Sequence, residues 1–404
     1  MRFVSLLVVI ATLAACGGSD GSISLAPPPN AEPSKGEHGR AALSEGREIF
    51  RFDTFGDETF WTDTLRMHEV IASGVSPATA LKVGLKVDAN ALPEAVKDGI
   101  LDGTVDLNSP ATTVTLLKLG AVVGVVGQVN ERDSLTRVGI TCALCHSTVD
   151  NSFAPGIGSR LDGWANRDLD VGAIVSLSPA LTAAQKAVYG SWGPGMYDPR
   201  YNIDGKNTPI VIPPAFGLRH IAREVYTGDG SVSYWNAYVA ITQMHGHGHF
   251  TDSRIGVDVN NSPPDLVSSK LAALREYQLS LEAPQPIAGS YDREAAHRGR
   301  AVFQGVARCA SCHIAGSLSD VNLGRLHPPA EVGQDPAYAL RSATKMYRTT
   351  PLRGLWHPPQ LQGPYFHDGK AKTLEAAVSH YEQLFGLSLT DRQRSDLVEY
   401  LKTL

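Results

Sequence analysis

Cysteine, runs of basic residues and long apolar runs are all scarce in this chain. Only five cysteines occur in 404 residues. The longest internal apolar stretch, residues 114–126, is interrupted by Lys118 and by glycines. It therefore predicts buried core rather than a membrane-spanning helix. A net charge of −5 without a long Lys/Arg run argues against a nucleic-acid-binding protein.

Four of the five cysteines lie in two Cys-x-x-Cys-His motifs, at 142–146 and 309–313. The two-residue gap matches the spacing of the vinyl groups on one edge of a haem, and the adjacent histidine can then reach the iron. A lone Cys-x-x-Cys also occurs in redox dithiols and zinc sites. Two copies followed by His, with no cysteine left over in the body of the chain, favour c-type haem. The predicted haem-binding residues are Cys142, Cys145, His146, Cys309, Cys312 and His313.

The fifth cysteine belongs to an N-terminal segment that predicts export. Arg2 precedes an apolar run that is too short to span a bilayer, as in a signal peptide. The small residues before Cys16 resemble a bacterial lipobox, so residues 1–16 predict a lipoprotein signal and an acylated Cys16. The alternative is an ordinary signal peptide with an incidental cysteine. Residues 17–39, rich in Gly, Ser and Pro, predict a flexible tether.

A short motif occurs twice along the chain. Residues 44–50 and 297–303 both contain Gly-Arg-x-x-Phe, and both predict an opening helix with Phe50 or Phe303 on its haem side. The second haem motif begins six positions after Phe303, whereas the first begins ninety-two positions after Phe50. Residues 51–140 are therefore predicted to be an insertion.

The chain length and a Pro-rich joint at 283–286 predict two haem domains, 40–285 and 286–404. Strand signals are scarce. The expected fold is mainly α, with two cytochrome c-like haem domains, long loops and a large insertion in the N-terminal one. A helix after the joint should begin at a cap, Ser290 or Asp292.

These features resemble the bacterial di-haem cytochrome c peroxidase superfamily, which also contains the enzyme that matures tryptophan tryptophylquinone and the rubber oxygenases. The resemblance is specific over residues 290–404, where the segments 348–355 and 363–369 match the family's loops around the second haem. It is weaker over 40–285, where Lys206-Asn207-Thr208-Pro209 is similar to the Arg-Asn-x-Pro segment that follows the first haem.

The resemblance implies a division of labour between the haems. The N-terminal haem, with His146 as proximal ligand, would be reactive, and the C-terminal haem, with His313, would supply electrons. The sixth ligand of the second haem would be Tyr381, which aligns with the ligand of the quinone-maturing enzyme, or the neighbouring His380. Met346 is a competing residue that is better explained as core.

Around the first haem, three histidines alternate with glycine in the segment 243–249. His245, His247 or His249 would be the sixth ligand or a distal proton carrier. A polar surface loop is the alternative for this segment. Asp162 stands where classical peroxidases carry a distal histidine, and it is a further candidate for protonating the leaving oxygen.

The resemblance also implies a calcium ion between the haems. Asn207 would donate a side-chain oxygen, and Gln362 and Pro364 would donate backbone carbonyls. An aromatic residue is expected between the haems as well, and ordinary core packing is the alternative for each candidate. The candidates are Trp164, Trp235 and Tyr226.

The predicted protein is a periplasmic, lipid-anchored di-haem cytochrome c that reduces H₂O₂ with electrons from a small cytochrome or a cupredoxin. A second copy of the chain is a further candidate partner. The alternatives are a pure electron carrier with two six-coordinate irons, and an oxygenase or cofactor-maturing oxidase that acts on an organic substrate.

Both motifs are predicted to hold covalent haem. The intact mass of the exported protein should exceed that of the processed, lipidated polypeptide by two haems, because each motif supplies two thiols for thioether bonds. A mass that corresponds to one haem, or to a bound zinc ion, would show that this interpretation of the motifs is wrong.

Overall fold

The computed structural model describes residues 37–356 and 363–404. The predicted lipobox with Cys16, most of the predicted tether and Gln362 lie outside these residues. Helix α1 already begins at Glu37, inside the predicted tether.

The α-helices are α1 Glu37–Phe52, α2 Met67–Gly74, α3 Pro77–Lys82, α4 Glu94–Asp102, α5 Pro110–Lys118, α6 Ala143–His146, α7 Val171–Ser176, α8 Ala183–Tyr189, α9 Tyr201–Asp204, α10 Val232–Tyr238, α11 Leu271–Ser280, α12 Arg293–Gln304, α13 Pro336–Ala339, α14 Leu374–Leu384 and α15 Asp391–Leu401.

The strands are short and pair two by two, so the described part of the chain is helix-rich with small sheets. β1 pairs in parallel with β5, and the pairs β2–β3, β4–β6, β7–β8 and β9–β10 are antiparallel. The strands are β1 Val87–Asp88, β2 Val125–Val129, β3 Leu135–Ile140, β4 Ser147–Val149, β5 Ile157–Gly158, β6 Arg160–Asp162, β7 Met196–Tyr197, β8 Ile210–Val211, β9 His249–Asp252 and β10 Val257–Asn260.

The repeated Gly-Arg-x-x-Phe motif lies on two helices that pack in the same way. Helix α1 packs on α11, and α12 packs on α15. At Gly46 a Cβ atom would collide with the carbonyl of Ala273, and at Gly299 with the carbonyl of Asp396. Glycine is therefore required at both positions, because each helix lies directly against the backbone of its partner.

The residues around α12 explain why this helix starts where it does. Asp292 accepts a hydrogen bond from the backbone N–H of Ala295, which confirms the predicted cap. Phe303 is buried near the end of the same helix, and its ring centroid lies 6.3 Å from that of His313. The predicted haem side of this helix therefore faces the second haem motif.

The predicted insertion has a buried apolar cluster of its own, which includes Leu116, Leu117 and Val122. These residues belong to the apolar stretch 114–126, so the prediction of buried core is confirmed. Among the described helices, none combines the length and the apolar character that crossing a membrane requires. The division into two haem domains at residue 285 remains a prediction.

Buried ion pairs connect the chain on either side of the Pro-rich joint. Arg341 pairs with Asp198 at 2.9 Å, and both side chains are almost fully buried. Arg200 pairs with Asp229 at 2.6 Å and also donates to the carbonyl of Arg341. Because a buried charge without its partner is costly, these pairs define how the segments 198–229 and 335–345 fit together.

Candidate functional site: two haem-attachment sites

The second Cys-x-x-Cys-His motif lines a cavity of about 560 Å³. Cys309, Cys312 and His313 all contribute to its wall, together with Phe303. The two thiols are free, so both are available for thioether bonds. His313 Nδ1 lies 3.0 Å from the carbonyl oxygen of Leu318. This contact fixes the ring and leaves Nε2 as the nitrogen for iron.

The structure separates the two predicted sixth ligands of this site. Tyr381, on α14, lines the cavity. Burial raises the pKa of its phenol to about 12, so the ring keeps its proton in the absence of a metal. The imidazole Nε2 of His380 instead lies 3.0 Å from the carbonyl of Val332. Tyr381 therefore shares the cavity with His313, whereas His380 is engaged by the neighbouring loop.

The charged residues of the cavity fit a haem with its two propionate groups. Four arginines line the wall: Arg167, Arg308, Arg348 and Arg353. One guanidinium nitrogen of Arg348, Nη1, is buried and has no partner among the described residues, while Nη2 pairs with Glu224 at 3.2 Å. Burial lowers the pKa of Arg348. A carboxylate at Nη1 would complete the hydrogen bonds of this side chain.

The first motif lies on the short helix α6 and the turn before it. His146 Nδ1 lies 3.1 Å from the carbonyl oxygen of Pro213, which leaves Nε2 for a metal. Burial raises the pKa of the Cys142 and Cys145 thiols to about 12 and lowers the pKa of His146 to about 4. Trp61 shares an apolar cluster with Cys145, and its indole Nε1 is buried without a partner in the described structure. These groups fit a haem held in the same way as at the second motif.

The three alternating histidines occupy three different environments. His245 stacks on Phe60 with ring centroids 3.6 Å apart, and burial lowers its pKa to about 4. His247 Nδ1 is buried, with no hydrogen-bond partner among the residues described. His249 is exposed on β9, where it contacts Asp258 at 2.7 Å. The surface-loop alternative therefore describes His249, and His245 contacts Phe60, which packs beside the first motif.

The proximity of His245 to the first motif follows from Phe60. This ring packs against the apolar cluster that contains Leu144 and Cys145. His245 is also held at a φ of +66°, a backbone region that histidine adopts more readily than most residues. The local chain therefore positions one imidazole beside the first motif.

The carboxylate of Asp162 has a structural role, because neighbouring donors occupy its oxygens. Its carboxylate accepts hydrogen bonds from Arg51 Nε at 2.5 Å, Tyr277 Oη at 2.5 Å and Ser147 Oγ at 2.8 Å. The carboxylate is almost fully buried among these donors. It ties β6 to α1 and α11, and its oxygens are occupied.

The predicted calcium ligands all have other roles or lie outside the described residues. The Oδ1 atom of Asn207 accepts from the indole of Trp192 at 2.7 Å. The carbonyl of Pro364 accepts from the guanidinium of Arg167 at 3.2 Å, so a cation already contacts this oxygen. Gln362 is outside the described residues. The contacts of Asn207 and Pro364 do not point to a shared metal ion.

Of the three predicted aromatic residues, Trp164 borders both sites and Tyr226 borders the second. Trp164 follows Gly163, whose N–H donates to the carbonyl of His146, and the Trp164 side chain lines the cavity of the second motif. Tyr226 lines the same cavity. Trp235 instead packs in the core of the N-terminal part and donates to the carbonyl of Glu224.

Several residues of these sites lie outside any sequence motif that could have identified them. Phe60 and Asp57 come from the predicted insertion, where neither stands in a recognisable pattern. Asp57 is fully buried and accepts from the N–H of Ile140, and burial raises its pKa to about 9. In the sequence, Asp57 is marked only as an acidic residue shortly after α1. Pro213 likewise reaches its site through the fold, whereas Arg348 opens the segment 348–355, which the sequence resemblance assigns to the loops around the second haem.

Comparisons with known proteins support a cytochrome c domain that contains the second motif. The cytochrome c family model matches residues 296–404. The methylamine utilization protein MauG of Methylorubrum extorquens is 34% identical over 158 residues, which cover 34% of this chain and 43% of that protein. MauG of Methylophilus methylotrophus is 29% identical over 127 residues, which cover 28% of this chain and 37% of the relative. The chain therefore spans about two fifths of the length of these curated relatives.

Two solved structures share weaker similarity with the chain. Hydrazine synthase of Kuenenia stuttgartiensis matches with 20% identity and a TM-score of 0.33, over 49% of this chain and 73% of that one. A MauG-like protein associated with microbial copper homeostasis matches with 19% identity and a TM-score of 0.33, over 49% of this chain and 74% of that one. Similarity at this level carries no information about function.

The environment of Tyr381 and His380 predicts different effects of two substitutions. Tyr381→Phe should change the visible and paramagnetic resonance spectra of the second haem and shift its reduction potential, because Tyr381 lines its cavity. His380→Gln should leave both unchanged, because its imidazole contacts Val332. Spectra that change in His380→Gln but not in Tyr381→Phe would reverse the assignment.

Proposed function

Because the chain belongs to the bacterial di-haem cytochrome c peroxidase superfamily, we propose that it is a di-haem c-type oxidoreductase that reduces H₂O₂. In this proposal the C-terminal haem supplies electrons to the N-terminal one. The cytochrome c match and the MauG relatives support the haem-binding, peroxidase-like class. The choice of H₂O₂ and the direction of electron flow are the parts that need a test.

The observation that carries the proposal is the difference between the two sites. Tyr381 shares a cavity with His313, which suits a second axial ligand and an electron-transfer role. Near the first motif, Phe60 holds His245, whose lowered pKa keeps the imidazole neutral at neutral pH. A neutral imidazole can accept a proton, which is what peroxide activation requires.

The haems would supply the redox chemistry when bound, and the chain's own residues would orient them and move protons. The contacts of His146 with Pro213 and of His313 with Leu318 occupy Nδ1 of each imidazole and would leave Nε2 to bind the haem iron. His245 would move a proton from one oxygen of H₂O₂ to the other, which leaves as water when the O–O bond breaks. Two electrons from the donor and two protons from solvent would then convert the remaining oxygen to a second water. The occupied oxygens of Asp162 make it the weaker candidate for this step.

Trp164 supports electron transfer between the two sites. Its main chain adjoins His146, and its side chain lines the cavity that contains His313. An aromatic ring at this place shortens the distance that an electron must cross through saturated groups. Tyr226 lines the same cavity and is the second candidate for this role.

The proposed location is the periplasm, with a lipid anchor on Cys16, and the proposed donor is a small cytochrome c or a cupredoxin. The lipobox-like sequence and the need to attach haem outside the cytoplasm support this location. Calcium remains a prediction without support from the contacts of Asn207 and Pro364.

A second candidate function is the oxidation of an organic substrate. The sequence similarity to MauG favours it, as does a tyrosine at position 381 in the second cavity. A pure electron carrier is the remaining alternative, and it requires a strong sixth ligand at the first haem.

Removal of the His245 imidazole tests the proposed proton carrier. In His245→Asn, whose side chain tolerates a positive φ, peroxide consumption should fall on the order of 10²-fold because the proton carrier is lost. The matched variant His249→Asn should keep full activity, since His249 is exposed on β9. Haem content and visible spectra show whether both variants are intact.

Unchanged peroxide consumption in His245→Asn would contradict the role of His245. Asp57, which is buried near the first motif, would then become the next residue to replace.

A further inference from the structure

Four aromatic rings in the segment 189–201 form a connected chain. The ring centroids of Tyr197 and Trp192 are 5.5 Å apart. Trp192 is 4.9 Å from Tyr189 and 6.0 Å from Tyr201, and these two tyrosines are 5.4 Å from each other. All four contacts are edge-to-face. Each ring therefore touches the next without an intervening saturated side chain.

The inner end of this chain adjoins the first haem motif. Tyr197, on β7, packs against the same apolar cluster as Cys145. Its partner strand β8 leads directly to Pro213, whose carbonyl contacts His146. The Tyr197 hydroxyl donates to Gln243 Oε1 at 2.6 Å, and Gln243 lies two residues before His245. Tyr197 thus contacts both the apolar cluster beside Cys145 and the segment that leads to His245.

The outer end of the chain reaches the surface. Trp192 is 6% exposed, whereas Tyr189 and Tyr201 are only half-buried. The Trp192 indole donates to the side chain of Asn207, which is exposed. The rings therefore lead from Tyr197, which packs beside the first motif and is partly exposed itself, through the buried Trp192 to two further tyrosines that solvent can reach.

A second aromatic cluster in the same part of the chain shows what ordinary core packing looks like. Tyr234, Trp235, Tyr238 and Phe250 also make edge-to-face contacts, at 5.2 to 5.6 Å. All four are at most 7% exposed, so this cluster has no end at the surface. Aromatic packing contributes about 0.5–1.5 kcal/mol per pair in either cluster. Packing energy alone does not explain why the rings of the 189–201 chain connect the first motif with the surface.

We propose that Tyr197, Trp192 and the Tyr189–Tyr201 pair form an electron relay from the protein surface to the first haem site. A phenol-type organic donor that contacts Tyr189 or Tyr201 could then supply electrons without passing through the second haem. The relay extends the proposed peroxide reduction and rests on it, because H₂O₂ is the oxidant that draws electrons along the rings.

The electron balance is that of peroxide reduction by two one-electron steps. H₂O₂ takes two electrons and two protons and yields two molecules of water. Each electron leaves a surface tyrosine, whose phenolic proton passes to solvent. The donor then returns one electron, and a proton returns with it, so two donor molecules are each oxidised by one electron. Trp192 passes the electron on while its N–H remains bonded to Asn207.

The position of oxidised side chains tests the relay. The purified holoprotein is treated with H₂O₂ in the absence of a donor, and its peptides are mapped by mass spectrometry while residual peroxide is measured. Wild-type protein should gain oxygen or a tyrosine cross-link at Tyr189 and Tyr201. Hydroquinone, added as a phenol-class donor, should suppress these marks, and persistent marks would exclude donor access at this surface.

The matched variants are Trp192→Phe and Trp235→Phe. Each removes one indole that makes edge-to-face contacts and donates one hydrogen bond. Trp192→Phe should lose the marks on Tyr189 and Tyr201, whereas Trp235→Phe should keep them. If Trp192→Phe does not fold, Tyr189→Phe with Tyr201→Phe serves instead, and oxidation should then stop at Trp192.

The outcomes separate the relay from the proposed function. Peroxide consumption without marks in wild-type protein, or with equal marks in Trp192→Phe, would overturn the relay alone. If wild-type protein with both haems consumes no H₂O₂, the proposed function fails and the relay fails with it.

Discussion

The close contact of two helix backbones at a glycine is the constraint on which both haem sites depend. It occurs at Gly46, where α1 meets α11, and again at Gly299, where α12 meets α15. Any side chain at either glycine would force the helices apart. The same motif ends in Phe50, which is fully buried, and Phe303, which lines the second cavity. In each motif the glycine sets how closely the two helices cross, and the phenylalanine four positions later is placed beside the haem motif.

The two sites, each next to one of these helix pairs, differ in the side chains that surround the predicted iron position. The second has a phenol, Tyr381, and four arginines around one large cavity, which suits a tightly held electron-transfer haem. The first gathers side chains from the predicted insertion, above all Phe60, which holds His245 close to the motif. A neutral imidazole on one side and an aromatic chain on another suit proton and electron delivery to a reactive haem.

Features that depend on neighbours in sequence could be predicted, and features that depend on distant contacts could not. The haem motifs, the Asp292 cap and the buried stretch 114–126 follow from local spacing. The alternating histidines suggested one cluster, but strand β9 begins at His249 and carries that residue to the surface. The role of Asp162 depends on Arg51 and Tyr277, more than a hundred residues away in the chain. No pattern around position 162 encodes those partners.

The spin states of the two irons in the resting ferric protein test the central claim most directly. An electron paramagnetic resonance spectrum should show one high-spin ferric signal, from a first haem with an open sixth position, and one low-spin signal, from a second haem ligated on both faces. Tyr381 in the second cavity and the proposed role of His245 as a proton carrier rather than an iron ligand lead to this expectation. Two low-spin signals would contradict it and identify the protein as an electron carrier.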